Sequence, residues 1–229
     1  MQNQKVLIIA AHPDDEVLGA GGTIAKYAAN GAEVRLLIVT DGSTAQYRAD
    51  ANLARILEEK KQETQRAAEI LGIRQVLYGG LPDMKLDMTA HIQVNQVIEQ
   101  VLDDFRPEVV FTQFYGDVNL DHQCVHRSTL VACRPVEGQC VKEVYSYYVP
   151  SATDWSAPTS ANVFLPNVFV DISESYAEKK YAAMGCYATE LRDYPHPRSI
   201  EALRVLDQAN GVHVGLKAAE CFMAHRVMK

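Results

Sequence analysis

The chain has 229 residues, of which 48% are hydrophobic and 22% charged, a composition typical of a globular protein. Its length is sufficient for one large domain, which we predict to span residues 1–229. The formal net charge of −7 argues against a nucleic-acid or anionic-membrane surface, because both favour basic patches. Neutral or cationic ligands fit this chain better, although a metal site could still receive an anion.

Cysteines and the amino terminus indicate the compartment. The five cysteines form no C-x-x-C pair, which favours reduced core thiols over a disulfide framework. The first five residues lead directly into a short apolar segment, without the long apolar stretch of an export signal or membrane span. We therefore predict a cytoplasmic protein that does not span a membrane.

Strand and helix patterns alternate along the first two thirds of the chain, which predicts an α/β fold with a mostly parallel sheet flanked by helices. Right-handed crossovers bring the carboxyl ends of the first, second and fourth strands to one rim, where we expect the functional site. Strand patterns occupy residues 5–11, 33–40, 75–78, 109–113 and 143–148, and helix patterns occupy residues 20–30, 53–71, 90–105 and 122–132.

The composition changes after Pro150. Residues 151–162 are rich in Ser, Thr, Ala and Pro around Trp155. A short strand at 167–171 and helices near 174–189, 199–210 and 216–225 follow. We predict that residues 151–229 form a lid-like C-terminal elaboration of the core at 1–150, not a second domain.

The segment His12-Pro13-Asp14-Asp15-Glu16 follows directly after the apolar strand pattern. One imidazole and three carboxylates resist burial together, so a divalent metal with nitrogen and oxygen ligands is the candidate for the positive charge they need. We assign His12 and Asp15 as metal ligands and Asp14 as the acid/base. Alternatively, the acidic residues form only a helix N-terminus, where carboxylates are favoured. His12 at the carboxyl end of a strand favours the site.

A third ligand is available after the fourth strand. His122 lies 110 positions after His12, and Asp121 beside it could hold the imidazole in one tautomer or tune a bound water. Read alone, Asp121 is an ordinary helix cap and His122 a surface residue. His126, one helical turn later, could form an i, i+4 ligand pair with His122, but the glutamate of a zincin motif is missing.

These residues match a known family. Ala11-His12-Pro13-Asp14-Asp15-Glu16, Asp121-His122 and Ala219-Glu220-x-Phe222 resemble the LmbE-like, or PIG-L, zinc-dependent N-deacetylases, and the likeness runs through most of the chain. The resemblance implies a Rossmann-like fold and Zn²⁺ bound by His12, Asp15 and His122. It also implies that Asp14 is the general base and later the acid, and that Asp121 modulates the site.

One position departs from the family pattern. Many members have a histidine three residues before the last ligand, where this chain has Asn119. Asparagine can donate an N–H to an oxyanion but cannot carry a charge or give up a proton. Stabilisation of the oxyanion is therefore expected to depend more on zinc here.

The reaction we predict is removal of an acetyl group from an N-acetylglucosamine-type sugar or glycoconjugate by a metal-activated water. Arg48, Arg134 and Arg198 are candidates for binding the hydroxyls of the sugar or a phosphate. The hydrophobic content and the habit of the family favour a homo-oligomer.

Two alternatives remain open at this point. One is a zinc hydrolase of another amide or ester, since the same water attacks all of these carbonyls. The other is a non-catalytic Rossmann-like nucleotide-binding module. Gly19-Ala20-Gly21-Gly22 has the wrong spacing for a phosphate loop and lacks its lysine, so we predict a role in close packing or helix entry.

Overall fold

The computed structural model describes residues 3–42 and 52–229. None of the helices in these two ranges is long and apolar enough to cross a membrane. The strands are β1 (Lys5–Ala10), β2 (Glu33–Thr40), β3 (Gln75–Leu81), β4 (Val109–Gln113), β5 (Glu143–Tyr147), β6 (Val168–Asp171) and β7 (Ala219–Val227). The helices are α1 (Asp15–Ala29), α2 (Leu53–Leu71), α3 (His91–Phe105), α4 (Leu120–Ala132), α5 (Ser175–Met184) and α6 (Ile200–Val212), with a 3₁₀ turn at Leu86–Met88.

The strands of the described ranges form one seven-stranded sheet in the order β3-β2-β1-β4-β5-β7-β6. The strands from β3 to β5 are parallel, while β7 is antiparallel to both β5 and β6. The strand order reverses between β1 and β4, and open α/β sheets bind ligands in the crevice at such a reversal. The predicted α/β fold with a mostly parallel sheet and flanking helices is confirmed.

Two apolar layers hold β1 in place. Val6, Ile8 and Ala10 pack on the side of α1, α2 and α5, while Leu7 and Ile9 pack on the side of α3 and α4. All five side chains are fully buried. Because burial of one large aliphatic side chain contributes about 1.5–3 kcal/mol, this strand is a rigid support for the residues that follow it.

Glycines in α1 allow that helix to pack closely. A Cβ atom at Gly19 would collide with the ring of Tyr147, and one at Gly22 would lie 2.7 Å from Ile172. The predicted packing role is confirmed. The predicted start of the helix at residue 20 is wrong, because α1 begins at Asp15. Glycine has low helix propensity, and here tertiary packing offsets that cost.

The predicted helix at 216–225 is also wrong, because this segment forms β7. Residues 218–222 are all buried, since β7 is paired on both edges, with β5 and with β6. A short buried run has no alternation that distinguishes a strand from a helix. The C-terminal part therefore extends the sheet, and α5 packs beside α1, in addition to covering the rim.

Candidate metal centre and active-site cleft

The candidate site lies where β1 and β4 end. These strands are parallel neighbours, with Val6 opposite Val109, so the residues after their carboxyl ends meet at one rim. His12 follows β1, Asp15 opens α1, and His122 lies in the first turn of α4. The side chains of Asp15 and His122 are 1% exposed and that of His12 is 13% exposed.

The donor atoms of these three residues converge. His12 Nδ1 lies 3.2 Å from His122 Nε2 and 3.5 Å from Asp15 Oδ2. His122 Nε2 lies 3.3 Å from Asp15 Oδ1. Tetrahedral zinc, with bonds of about 2.0–2.1 Å, separates its ligand atoms by about 3.3–3.4 Å. Two imidazole nitrogens and a carboxylate at this spacing fit a metal ion.

Carboxylates face the outer nitrogen of each imidazole. His122 Nδ1 lies 3.0 Å from Asp117 Oδ2. His12 Nε2 lies 3.1 Å from Asp121 Oδ2 and 3.0 Å from Asp83 Oδ1. A carboxylate that accepts the outer N–H directs the lone pair of the other nitrogen toward the metal position. Asp121 therefore holds the imidazole of His12, and not that of its neighbour His122.

Sequence reasoning missed Asp83 and Asp117. Asp83 follows β3 at the same rim, but the strand pattern stopped at residue 78, whereas β3 continues to Leu81. Asp117 lies five residues before His122, in the loop after β4. It also accepts a hydrogen bond from Thr153 Oγ1 at 3.0 Å. Both aspartates lie within a few residues of the end of a strand, Asp83 after β3 and Asp117 after β4. That position in the sequence could have identified them.

The electrostatics of the three converging residues favour a positive charge between them. Burial acts to lower the pKa of His122, but Asp15 and Asp117 outweigh it and raise that pKa to about 9. Burial also opposes the charge on His12, yet hydrogen bonds to the surrounding carboxylates raise its pKa well above the usual range. Burial acts to raise the pKa of Asp15, and the two imidazoles nevertheless hold it well below its usual range. A divalent cation would supply that charge.

Asp14 combines an unusual backbone with an available side chain. Its φ of 104° and ψ of −28° lie in a region that L-residues rarely adopt. It stands at the N-cap of α1 without making a cap hydrogen bond. Its Oδ2 lies 3.3 Å from the Arg198 guanidinium. Burial raises the pKa of Asp14 to about 7, and Arg198 opposes that rise.

Glu16 supports this strained backbone. The Asp14 N–H donates to Glu16 Oε2 at 3.2 Å, and the Tyr187 hydroxyl donates to Glu16 Oε1 at 2.5 Å. Burial raises the pKa of Glu16 to about 8, against the hydrogen bond from Tyr187. Strained conformations persist where the surroundings fix them, so we interpret Glu16 as structural.

Asn119 caps α4 and has an amide group at the cleft. Its Oδ1 accepts the N–H of Asp121 at 2.9 Å. Because a backbone N–H can only donate, the oxygen is fixed on that side and Nδ2 points the other way, toward Met84 Sδ at 3.7 Å. An N–H donor is therefore available at the wall of the cleft.

A cleft of about 360 Å³ opens beside these residues. Its volume is in the range of small-molecule sites. Its walls come from the loops after β3, β4 and β5, from the first turn of α4 and from the segment before α6. They are formed by Met84, Asp87, Val118, Asn119, Leu120, Asp121, Ser151, Ala152, Trp155 and Arg198.

The three predicted arginines have different positions. Arg198 lines the cleft. Arg134 follows the C-terminal end of α4, which is roughly 20 Å long, and its exposed side chain lies 4.0 Å from Glu99. The structure therefore does not bring Arg134 to the site. Arg48 lies outside the described residues.

His126 is likewise separate from the metal centre. Its Nδ1 lies 2.9 Å from the Gln113 carbonyl oxygen and 3.2 Å from Ser146 Oγ. Its ring packs against His225 with centroids 5.1 Å apart. Among the described residues, one converging set of donor atoms includes His122, and none includes His126. The alternative i, i+4 ligand pair is therefore not formed.

Comparison with known proteins finds similar chains among deacetylases. A family profile described as PIG-L: GlcNAc-PI de-N-acetylase matches residues 7–133. YaiS of Escherichia coli, called an uncharacterized deacetylase, is 28% identical over 187 residues, which cover 78% of this chain and 88% of YaiS. The 1D-myo-inositol 2-acetamido-2-deoxy-alpha-D-glucopyranoside deacetylase of Mycobacteroides abscessus is 27% identical over 233 residues, which cover 83% of each chain. The solved structure of N,N'-diacetylchitobiose deacetylase from Pyrococcus horikoshii has the same fold, with a TM-score of 0.79 at 21% identity over 97% of this chain and 84% of that one.

Proposed function

Because the chain belongs to the PIG-L (LmbE-like) family, we propose that it is a zinc-dependent N-deacetylase of an N-acetylglucosamine-type sugar or glycoconjugate. One observation carries the proposal: the donor atoms of His12, Asp15 and His122 converge beside Asp14 and an open cleft. The two histidines and the carboxylate would hold the ion. When bound, zinc supplies a Lewis acid and makes water nucleophilic at neutral pH.

Asp14 is the proposed general base. Its carboxyl makes no cap bond in α1, so it is available to accept a proton from the attacking water. The same group then gives that proton to the leaving amine. Hydrolysis of the amide thus needs one carboxyl that first accepts and later donates.

Arg198 is proposed to position Asp14 as well as to line the cleft. Its guanidinium lies 3.1 Å from Glu190 Oε2, and Glu190 Oε1 lies 2.6 Å from Lys60 Nζ. This chain of charges, buried at Lys60 and Glu190 and half-buried at Arg198, connects α2 to the base. Because Glu190 fixes the Arg198 guanidinium, the guanidinium can in turn orient the Asp14 carboxyl.

Asn119 and Asp121 complete the proposed division of roles. Asn119 Nδ2 would donate to the oxyanion that develops on the acetyl carbonyl. Asp121 would keep His12 in the tautomer whose Nδ1 is free, because its Oδ2 lies 3.1 Å from Nε2. Among the sugar-binding candidates, only Arg198 is brought to the cleft in the described part of the chain.

The proposal is tested by measuring acetate release. Purified protein, stripped of metal and reloaded with zinc, is assayed against N-acetylglucosamine glycosides, sugar nucleotides, acetylated peptides and esters. We expect release from the glycosides that depends on zinc. Asp14→Asn should keep the metal and lower kcat/KM by about 10²–10⁴-fold, because the amide preserves the shape but cannot accept the proton.

Asp103→Asn is the matched control, since Asp103 is an exposed aspartate of α3 outside the cleft. Preferred turnover of peptides or esters would favour another zinc hydrolase. Nucleotide binding without any turnover would favour the non-catalytic module. Near wild-type turnover by Asp14→Asn would show that another residue is the base.

Cytoplasmic location, a homo-oligomeric state and a single domain over residues 1–229 stay predictions. Cell fractionation, light scattering of the purified protein and limited proteolysis would check them.

A further inference from the structure

We propose that the mouth of the cleft is a subsite for an apolar aglycone, and that Trp155 is the residue that recognises it. The substrate is then a neutral N-acetylated glycoside that carries an alkyl or aryl group in place of a phosphate. This inference rests on the proposed function, because it assigns the part of the substrate that does not react.

Exposed apolar side chains are concentrated at this cleft. They come from three separate segments of the chain, so the fold and not one apolar run assembles the patch. An exposed apolar patch in a concave site marks a ligand position more often than an inert surface. The exposed fractions are 61%, 53%, 50% and 46% for Trp155, Val118, Leu120 and Met84.

The segment that carries Trp155 is fixed relative to the metal centre. The backbone N–H of Trp155 donates to the Ser151 carbonyl oxygen at 3.1 Å. Two residues earlier, Thr153 Oγ1 donates at 3.0 Å to Asp117 Oδ2, the carboxylate that also holds His122. The backbone that carries the indole is therefore held in place, and the indole is a flat apolar surface with few rotatable bonds, so little conformational entropy is lost when a ligand packs on it.

The charges of the cleft disfavour an anionic substrate. Among the described residues that line it, the charged ones are Asp87, Asp121 and Arg198. The Arg198 guanidinium already lies 3.3 Å from Asp14 and 3.1 Å from Glu190. A phosphate would thus meet two carboxylates and an arginine that is already paired, whereas a neutral group meets no such cost.

Burial gives the orientation of the substrate. Asp14 is 2% exposed and Trp155 is 61% exposed. The acetamido group must reach the buried end, where the base and the metal ligands lie. The remainder of the glycoside therefore points to the mouth, where Trp155 can pack against its aglycone.

The first experiment uses the fact that Trp155 is the only tryptophan of the chain. Its fluorescence is titrated with the hexyl and methyl glycosides of N-acetyl-β-glucosamine and with N-acetylglucosamine 1-phosphate, on zinc-loaded Asp14→Asn protein to prevent turnover. We expect a blue shift with the hexyl glycoside and binding at least about tenfold tighter than for the methyl glycoside, which corresponds to about 1.4 kcal/mol. The phosphate should bind more weakly than the methyl glycoside.

The second experiment separates recognition from folding. Trp155→Ala in otherwise wild-type protein should lower kcat/KM for the hexyl glycoside about tenfold and change that for the methyl glycoside by less than about twofold. Trp155→Phe should restore most of the loss. Leu165→Ala is the matched control, because Leu165 is 65% exposed but does not line the cleft. A purely structural role of Trp155 would affect both glycosides equally.

Equal binding of the two glycosides, or tighter binding of the phosphate, would overturn the inference. So would a change in emission that follows protein dilution and not ligand, because the patch would then be an interface between copies of the chain. If binding follows the expected order but zinc-loaded wild-type protein releases no acetate, the proposed deacetylase function fails and the apolar subsite stands.

Discussion

Two regions of this protein bury several ionisable side chains, and they differ in how these groups are satisfied. The first is the lysine cluster, formed by Lys180, Asp207 and Glu220. Lys180 Nζ lies 2.8 Å from Asp207 Oδ1 and 2.9 Å from Glu220 Oε1. The N–H groups of Gly22 and Thr23 in α1 donate to the two Glu220 oxygens at 2.9 and 2.6 Å. The cavity beside the cluster is only about 20 Å³, which is room for one water.

The second region is the rim site, formed by His12, Asp15 and His122, whose ionisable groups are not neutralised by a buried lysine among the described residues. Its imidazole and carboxylate atoms converge within 4.8 Å of one another, and a cleft of about 360 Å³, lined by Asp121 and Arg198, lies beside them. Burial of charge is common to both regions, so it does not by itself indicate function. Two imidazole nitrogens and a carboxylate at the mutual spacing of zinc ligands, beside a cleft, do indicate it. In the lysine cluster a lysine and two backbone N–H groups already contact the buried carboxylates.

The largest expected effect is removal of a rim ligand. His122→Ala should lose the zinc and reduce acetate release to background, since only two protein ligands remain. Asp117→Asn should keep the zinc but weaken its affinity by about 10–100-fold, because Asp117 orients His122 and does not itself bind the metal. Metal analysis after dialysis and a zinc titration of activity would check both. Full zinc occupancy in His122→Ala would remove the contrast between the two regions.

Removal of the lysine should instead affect stability. Lys180→Met leaves Asp207 and Glu220 buried without their cation, which typically costs about 3–5 kcal/mol. At equal folded fraction, kcat/KM should stay within about twofold, since nothing in the cluster contacts substrate. Urea unfolding at a fixed zinc concentration measures the first quantity. Lys179→Met is the control, because Lys179 is the exposed neighbour on the same helix.

A loss of activity in Lys180→Met as deep as that in Asp14→Asn, with the protein still folded, would contradict this assignment. It would mean that the cluster acts on the site through α1, which carries both the Glu220 contacts and Asp15.

The parts of the fold that local pattern decides could be predicted from sequence. The bounds of β2, β4 and α2 are those that the apolar periodicity gives. β7 could not be predicted, because its short buried run is compatible with either a helix or a strand, and only its pairing with β5 and β6 makes it a strand. α1 begins five residues before the predicted start, because contacts of its glycines compensate for their low propensity.

The candidate site divides in the same way. His12, Asp15 and His122 could be named because parallel strands bring their carboxyl ends together. Which carboxylate supports which imidazole depends on loop conformation, so Asp83 and Asp117 were missed. For the same reason, Asp121 was paired with its neighbour in sequence, whereas its partner is His12.

A smaller effect is expected from His126, which lies one turn from His122 but in a neutral environment. Burial lowers the pKa of His126 to about 4, whereas the unfolded value is about 6.5. Between about pH 4 and 6.5, His126 is therefore protonated in the unfolded chain and neutral in the folded chain. His126 thus contributes stability above pH 6.5 that is lost as the pH falls from about 6.5 to 4, by roughly 3 kcal/mol at most.

Urea midpoints measured across this pH range would check the expectation. His126→Gln should flatten the loss, and His91→Gln, at an exposed histidine of α3, should not. Parallel pH curves for His126→Gln and wild type would show that the pKa of His126 does not differ between the folded and the unfolded protein.

The smallest effect is expected at Asn119, whose side chain both caps a helix and is placed to act on substrate. Its Oδ1 caps α4 and its Nδ2 is available to the oxyanion. Asn119→Ser keeps an oxygen that can cap the helix, so stability should be unchanged while the donor is lost. If zinc carries most of the oxyanion stabilisation, kcat/KM should fall by less than the roughly 10²–10³-fold typical of a dominant donor.

Asn119→Ala should show the same kinetic loss and an additional destabilisation of about 1 kcal/mol, because it also removes the cap. Steady-state kinetics and urea unfolding of both variants separate the two roles. A kinetic loss in Asn119→Ser as deep as that in Asp14→Asn, at full zinc occupancy, would show that the amide is essential and that zinc alone does not stabilise the oxyanion.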